Sequence, residues 1–201
     1  MDSKLNWNHH AEYLLTKLSR AAGAMFKVRN YPSMKAHLLI YNSLAGSYLN
    51  YGIAAWSGCF LTMMNRLQAM QNTILRYMTY SPPHTGVDSK YQTFNILKIK
   101  ELQFFETAKF MHSVYHNHMP IAFQDYLQLI DHTYGTRSRI NICYYLPFPR
   151  TEMGKRSIRF SGVHTWADIP AALRHLNPNA FKFRTKKFIL NNSSQIAQLR
   201  E

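Results

Sequence analysis

The 201-residue chain has only two cysteines, Cys59 and Cys143, which lie far apart and form no C-x-x-C pair. Their scarcity excludes a disulfide framework and a cysteine-based zinc site, and it is typical of a reducing compartment. No apolar run approaches the roughly 18 residues of a membrane-spanning helix, and the first 15 residues lack the apolar core of a signal peptide. We therefore expect an intracellular protein, of the nucleus or the cytoplasm, without a membrane partner.

Carboxylates are also few. Five Asp and five Glu are scattered along the chain, without an Asp-Asp pair, a D-x-D or an E-x-x-H. Acid–base and metal-dependent chemistry needs carboxylates that lie together. The G-x-x-x-x-G-K-[ST], G-x-G-x-x-G and G-x-S-x-G motifs are missing as well. We therefore predict no catalytic residue and no cofactor; Cys59 paired with a histidine is an open alternative, but a buried structural cysteine is favoured.

Basic residues, in contrast, are abundant: 24 Lys and Arg give a net charge of +14. Residues 1–80 hold eight basic and two acidic side chains. Residues 81–135 hold four basic and five acidic ones, and residues 136–201 hold twelve basic and three acidic ones. Two basic ends around a neutral middle indicate a polyanionic partner, most simply nucleic acid. The alternative is that the excess charge only keeps the chain in solution.

Hydrophobic residues make up 46% of the chain, enough for a sizeable core. Apolar residues recur at three- and four-residue steps, which predicts helices over 8–26, 62–80, 100–116 and 179–190, and a second helix capped by Ser33. Such helices favour a mainly α fold, a small antiparallel bundle of about four to six helices. A minor extended element is expected after residue 132, at 142–146 and 157–160. The predicted divisions are a three-helix region 1–80, a helical connector 81–131, a basic C-terminal element 132–190 and a tail 191–201.

Three histidines near the end of the fourth predicted helix form H-x-x-x-H-x-H: His112, His116 and His118. Residues four apart share a helical face and could together ligate a metal. No adjacent carboxylate or cysteine completes such a site, so a solvated helix end is favoured. A methionine stripe of Met63, Met64, Met70 and Met78 is interpreted as bundle core rather than as a binding groove.

Basic residues also alternate with aromatic ones after residue 132. The basic members are Arg137, Arg139, Arg150, Lys155, Arg156 and Arg159, and the aromatic members are Tyr134, Tyr144, Tyr145, Phe148 and Phe160. Arginine matches phosphate geometrically, and exposed aromatic rings can stack on unpaired bases. We favour phosphate contact for the arginines and a core position for the aromatic residues.

Ordered sequence elements run from residue 2 to about residue 190. They are Asp2-x-x-Leu5-x-Trp7-x-x-His10, Leu38-x-x-Tyr41-x-Ser43-Leu44, Tyr48-Leu49-x-Tyr51-Gly52 with Trp56, Leu67-Gln68-x-x-Gln71-Asn72-x-x-Leu75-Arg76, Arg156-Ser157-x-x-Phe160-x-Gly162-x-x-x-Trp166-x-x-Ile169-Pro170 and Phe181-Lys182-x-x-x-Lys186. Together they resemble the C-terminal part of non-LTR (LINE-type, jockey-like) retrotransposon reverse transcriptases.

The resemblance implies the thumb and post-thumb part of an RNA-directed DNA polymerase. The catalytic palm, with its Tyr-x-Asp-Asp strand and its Mg²⁺, has no counterpart here, so this chain alone is expected to be inactive. In this family the thumb holds the template–primer duplex. The expected partners are RNA, DNA or both through backbone contacts, and the missing palm. The expected contact residues are Lys17, Arg20, Lys27, Arg66, Arg76, Arg137, Arg139, Arg156, Arg159, Lys182 and Lys186. The alternatives are a helical scaffold that meets an acidic protein, and a non-functional remnant of a decayed element.

Overall fold

The computed structural model describes residues 7–31, 33–120, 123, 127–128, 144–145 and 148–193. These residues are mainly helical, which confirms the predicted fold class. The elements are α1 (Asn8–Val28), α2 (Met34–Tyr41), a π-helical turn (Asn42–Gly46), α3 (Ser47–Asn50), α4 (Ile53–Trp56), α5 (Leu61–Met78), α6 (Asp88–Thr93), α7 (Ile99–Tyr115), α8 (Glu152–Lys155), α9 (Ile158–Asp168), α10 (Ala171–Arg174) and α11 (Pro178–Asn191). No helix among the described residues is long and apolar enough to cross a membrane.

The chain divides into two compact units between Leu102 and Gln103. This boundary falls within α7 and within the segment 81–131 that was expected to be a connector. The finer division of the chain from the sequence stays a prediction.

In the first unit, α1 and α5 run side by side in the same direction. Phe26, near the end of α1, meets Tyr77, near the end of α5, with their ring centroids 5.2 Å apart. Between α1 and α5 the chain returns through α2 and α3. The ring of His37 in α2 lies against the Val28 carbonyl at the end of α1, and Trp56 in α4 lies against His10 near the start of α1. Successive helices are therefore antiparallel, as an up-down-up bundle requires.

Local signals account for the ends of these helices. Ser33 precedes α2, and its hydroxyl accepts a hydrogen bond from the Ala36 amide, as its capping role predicts. Gly52, with φ of +63°, occupies a left-handed turn that L-residues rarely adopt. The following Trp56 is buried and donates its Nε1–H to the Tyr51 carbonyl at 2.8 Å.

A polar network fixes α5 inside the first unit. Gln71 is fully buried, and its Nε2 donates to the Tyr41 hydroxyl and to the Leu97 carbonyl, each at 2.9 Å. Gln68, one turn earlier, donates to the Tyr91 hydroxyl at 2.7 Å and accepts from the Ile99 amide at 2.9 Å. These bonds join α2, α6 and the start of α7 to α5, because a buried amide must find partners for its donors and acceptor.

Both tyrosines of the network are held in the neutral form. Burial raises the pKa of Tyr41 to about 12, although the hydrogen bond from Gln71 opposes the rise. Burial also raises the pKa of Tyr91, whose hydroxyl donates to Asn72 Oδ1 at 2.6 Å. The network therefore carries no charge near neutral pH.

In the second unit, α9 and α11 pack on α7 through aromatic residues. Trp166 and Phe181 are buried, with ring centroids 6.2 Å apart. Gly162 brings α9 close to α7, since a Cβ atom added there would lie 2.8 Å from Met111 Sδ.

The extended segment predicted at 157–160 is wrong. Ser157 precedes α9 as its cap residue, and its carbonyl accepts hydrogen bonds from the Phe160 and Ser161 amides, so the segment opens a helix. The helix continues because Val163 and Trp166, three residues apart, are both buried. Of the piece predicted at 142–146, only Tyr144 and Tyr145 are described; the Tyr145 amide donates to the Gln128 carbonyl at 2.8 Å.

Candidate nucleic-acid interface

An open groove of about 670 Å³ lies between α1 and α5. Its walls come from two consecutive turns of α1 and two of α5, at the three- and four-residue spacing that puts side chains on one face. The lining residues are Leu15, Thr16, Ser19, Arg20, Arg66, Ala69, Met70 and Thr73. The structure thus brings together two predicted contact residues, Arg20 and Arg66, that lie on different helices.

The groove carries positive charge without a described counter-charge. Arg20 and Arg66 are exposed, and neither makes an ion pair with any described residue. The weak hydrogen bond from Arg66 Nη1 to Met63 Sδ, at 3.5 Å, holds that guanidinium beside its own helix. Both guanidinium groups therefore keep donors for an anion from outside the molecule.

Small and hydroxylated side chains keep this groove open. Thr16 and Thr73 donate their hydroxyl hydrogens to the Glu12 carbonyl at 3.1 Å and the Ala69 carbonyl at 3.0 Å, so Ser19 is the lining hydroxyl that no described residue engages. Hydroxyls and guanidinium groups are the side chains that most often contact phosphate and sugar in nucleic-acid complexes. Met63 and Met70 are half-buried, and Met70 lines the groove, so their predicted role as bundle core is wrong, whereas Met64 and Met78 are buried as expected.

Lys27 and Lys17 lie on α1 outside the groove. Lys27 is exposed and follows Arg20 by seven residues, so it shares nearly the same side of the helix about 10 Å further along. The Lys17 ammonium instead lies 5.0 Å from the Tyr13 ring centroid and 5.7 Å from that of Tyr48. Lys27 thus extends the basic strip of the groove, and Lys17 belongs to the neighbouring face.

Arg76 does not line the groove. It is half-buried, and its Nε donates to the Thr85 carbonyl at 3.1 Å, in the loop that follows α5. The structure therefore separates Arg76 from Arg20 and Arg66.

The other predicted contact residues belong to the second unit. Arg156 and Arg159 are exposed, before and within α9. Lys182 and Lys186 lie one turn apart on α11, and burial lowers the pKa of the half-buried Lys186. Arg137 and Arg139 lie outside the described residues.

The aromatic residues expected in the core are divided. Tyr144 is buried and Phe160 half-buried against His164, but Tyr145 and Phe148 are exposed, the latter at 85%. Tyr134 lies outside the described residues.

The histidine triplet has a structural role that the sequence did not predict. His112 is buried, and its Nε2 lies 2.8 Å from the Leu176 carbonyl oxygen. His116 Nε2 lies 2.9 Å from the Arg174 carbonyl oxygen. Carbonyl oxygens only accept, so both Nε2 atoms carry the proton and donate it.

The interpretation of this triplet as a solvated helix end is thus wrong for His112, although His118 is exposed. Both Nε2 atoms are occupied as donors and are not available as metal ligands. In the parts of the chain that the structure describes, no group of three His, Cys, Asp or Glu side chains could hold a metal ion. Cys59 is buried, as predicted.

The sequence did not reveal the groove itself. Its walls combine arginines with small polar residues, which have no pattern of their own; the available signal was the four-residue repeat of Thr16 with Arg20 and of Ala69 with Thr73. Compared with protein-family models, with curated proteins and with solved structures, the chain gives no match.

Proposed function

We propose that this chain binds nucleic acid through the backbone, as the thumb and post-thumb part of a non-LTR retrotransposon reverse transcriptase. The observation that carries the proposal is the α1–α5 groove, where Arg20 and Arg66 present guanidinium groups without a described acidic partner. The ordered motifs of the chain support the family, and the groove lies on the helices that the resemblance aligns with the thumb.

The binding is electrostatic and independent of base sequence. A guanidinium group donates two parallel hydrogen bonds to phosphate oxygens, and the neighbouring Ser19 hydroxyl adds a weaker contact. Phosphate contacts position a duplex and carry no sequence information. The groove holds the backbone and contributes no bond-making chemistry of its own.

The test is a fluorescence-anisotropy titration of the chain with a labelled RNA–DNA hybrid at several salt concentrations. If about five phosphates are neutralised, the logarithm of affinity falls with the logarithm of salt concentration at a slope of about −4 to −5. The double variant R20Q/R66Q should lose about tenfold or more in affinity, and the slope should become shallower by about 2.

The matched control is Lys35→Gln, which removes one exposed positive charge from α2 in the same unit. It should leave affinity within about twofold, because charges outside the contact contribute only through the screened field. A slope near zero, or equal losses for the groove and control variants, would refute the proposal.

A helical scaffold is the second candidate, and exposed apolar side chains of the first unit favour it. Leu39, Tyr51 and Leu61 are 70%, 79% and 60% exposed. Exposed apolar residues are typical of protein interaction surfaces when they cluster. Salt-insensitive retention of a partner protein by the R20Q/R66Q chain, without hybrid binding by the unmodified chain, would favour this second function.

A further inference from the structure

A second basic cluster surrounds the loop between α5 and α6. Arg76, at the end of α5, donates its Nε–H to the Thr85 carbonyl at 3.1 Å. Lys90, in α6, donates its ammonium group to the Ser81 hydroxyl. The Ser81 amide in turn donates to the Arg76 carbonyl at 3.0 Å. Two cations are therefore fixed at the two ends of one short loop.

Neither cation makes an ion pair with a described carboxylate. Asp88, the acid that opens α6, is paired with Lys98 at 2.6 Å. Burial, followed by the charge of Arg76, lowers the pKa of Lys90. Like charges held together cost free energy unless an anion is added, so the cluster is complementary to a negative ligand.

Donors remain for such a ligand. The two Nη groups of Arg76 and the remaining ammonium hydrogens of Lys90 have no partner among the residues that the structure describes. The neighbouring hydroxyls add no donor, because Thr79 donates to the Leu75 carbonyl at 2.8 Å and Ser81 donates to the Thr79 hydroxyl at 2.9 Å. A planar guanidinium fork and a compact ammonium group are together suited to the tetrahedral oxygens of phosphate.

We propose that Arg76 and Lys90 bind one phosphate group, at a site separate from the α1–α5 groove. Neither residue lines the groove, so the site does not depend on the function proposed for the groove. The phosphate belongs either to a nucleic-acid backbone or to a free phosphate or small phosphate ester, and the chemistry of recognition is the same.

The experiment is an NMR titration of the ¹⁵N-labelled full chain with inorganic phosphate, at an ionic strength held constant with chloride. The Arg76 Nε–H and Ser81 amide signals should shift and saturate together. Arg76→Gln and Lys90→Gln should each raise the dissociation constant about tenfold or more, because each removes a charge-assisted contact. Lys35→Gln, which removes an exposed charge elsewhere in the unit, should leave it unchanged.

The titration of the unmodified chain decides the proposal even where a variant fails to fold. Shifts that do not saturate, or that spread evenly over the basic residues, would overturn it. Binding that persists in R20Q/R66Q would establish a site distinct from the groove, whatever the outcome for the hybrid; loss of binding in that variant would contradict the separation.

An RNA–DNA hybrid added to R20Q/R66Q then identifies the source of the phosphate. If the hybrid shifts the Ser81 amide and inorganic phosphate displaces it, the ligand is a backbone phosphate. If only inorganic phosphate shifts this signal, the ligand is a free phosphate or a small ester. Both results support the same site.

Discussion

The two units bury polar side chains for the same purpose but with different chemistry. In the first unit, the amides of Gln68 and Gln71 bind neighbouring segments to α5. In the second, the imidazoles of His112 and His116 bind the backbone of Leu176 and Arg174 to α7. The amide set and the imidazole set each donate to backbone carbonyl oxygens that would otherwise be buried without a hydrogen-bond donor.

The difference is that the second set contains a group whose pKa burial shifts, the imidazole of His112. Amides do not titrate, and the pKa of Tyr41 lies at about 12. Burial lowers the pKa of His112, so that its neutral form belongs to the folded state. The first unit also holds two histidines outside the amide network. Buried His37 has its Nε2 3.1 Å from the Val28 carbonyl oxygen, and the half-buried ring of His10, whose pKa burial lowers, lies against Trp56. We therefore expect the amide network to be insensitive to acid and the contact between His112 and the Leu176 carbonyl to be sensitive.

The largest effect should follow from Gln71→Ala. The substitution removes the amide group that donates to the Tyr41 hydroxyl and to the Leu97 carbonyl. It also leaves a cavity at a fully buried position. The free energy of unfolding should fall by about 2–4 kcal/mol, as measured by urea denaturation. The loss should be the same at pH 7.5 and pH 5.5, because no member of the network titrates in that range.

Asn65→Ala is the matched control on the same helix, since Asn65 is exposed on α5. It should change the free energy of unfolding by no more than about 0.5 kcal/mol. If the loss of unfolding free energy caused by Gln71→Ala doubled at acid pH, the amide network would be coupled to a titrating group. The contrast between the two units would then be wrong.

Gly162→Ala should loosen α9 from the helix that carries His112. The added Cβ would lie 2.8 Å from Met111 Sδ, and Met111 is fully buried, so its thioether can move only within a closed core. Overpacking of this kind outweighs the gain in helix propensity, for a net loss of about 1–2 kcal/mol. Hydrogen exchange should accelerate at amides of α9 and α11, and unchanged exchange there would contradict the close approach.

Acid should destabilise the second unit through His112. Its pKa is lowered in the folded state, so the unfolded chain binds a proton more readily. The stabilisation is complete above the unfolded value near 6.5 and decreases as pH falls below it, with a slope of at most about 1.4 kcal/mol per pH unit. Hydrogen exchange of α11 at pH 7.5 and pH 5.5 measures this decrease.

His112→Gln keeps an N–H donor for the Leu176 carbonyl but does not titrate, so the acid-induced change in α11 should become smaller. The control is His118→Gln, at an exposed position of the same triplet, which should retain the full change. An equal response of α11 in the two variants would assign the acid sensitivity to another group.

The sequence predicted what depends on neighbours along the chain and missed what depends on distant ones. The Ser33 cap and the helices α1, α5, α7 and α11 follow from local spacing and turn residues. The segment from Ser157 to Phe160 alternates polar and aromatic or aliphatic residues over only four positions, too short to distinguish a strand from the first turn of a helix.

The sites depend on pairs that no local pattern contains. His112 reaches a carbonyl 64 residues further along the chain, so its burial could not be deduced from the triplet. The groove depends on how far α1 and α5 are rotated about their axes, which decides that Arg20 and Arg66 face one space and that Arg76 turns to Thr85. Charge segregation predicted basic contact residues but not which of them act together.

Gly23→Ala should have the smallest effect and the opposite sign from Gly162→Ala. Both glycines lie inside helices, but a Cβ at Gly23 would meet no atom within 4 Å, and the residue is exposed on α1. Alanine there gains only helix propensity, so the free energy of unfolding should rise by about 0.5–1 kcal/mol. Because the two substitutions add the same methyl group, the difference between their urea midpoints isolates the contact with Met111. A loss of stability from Gly23→Ala would mean that α1 is packed on this side as well, and that the surface carrying Arg20 and Lys27 is not open.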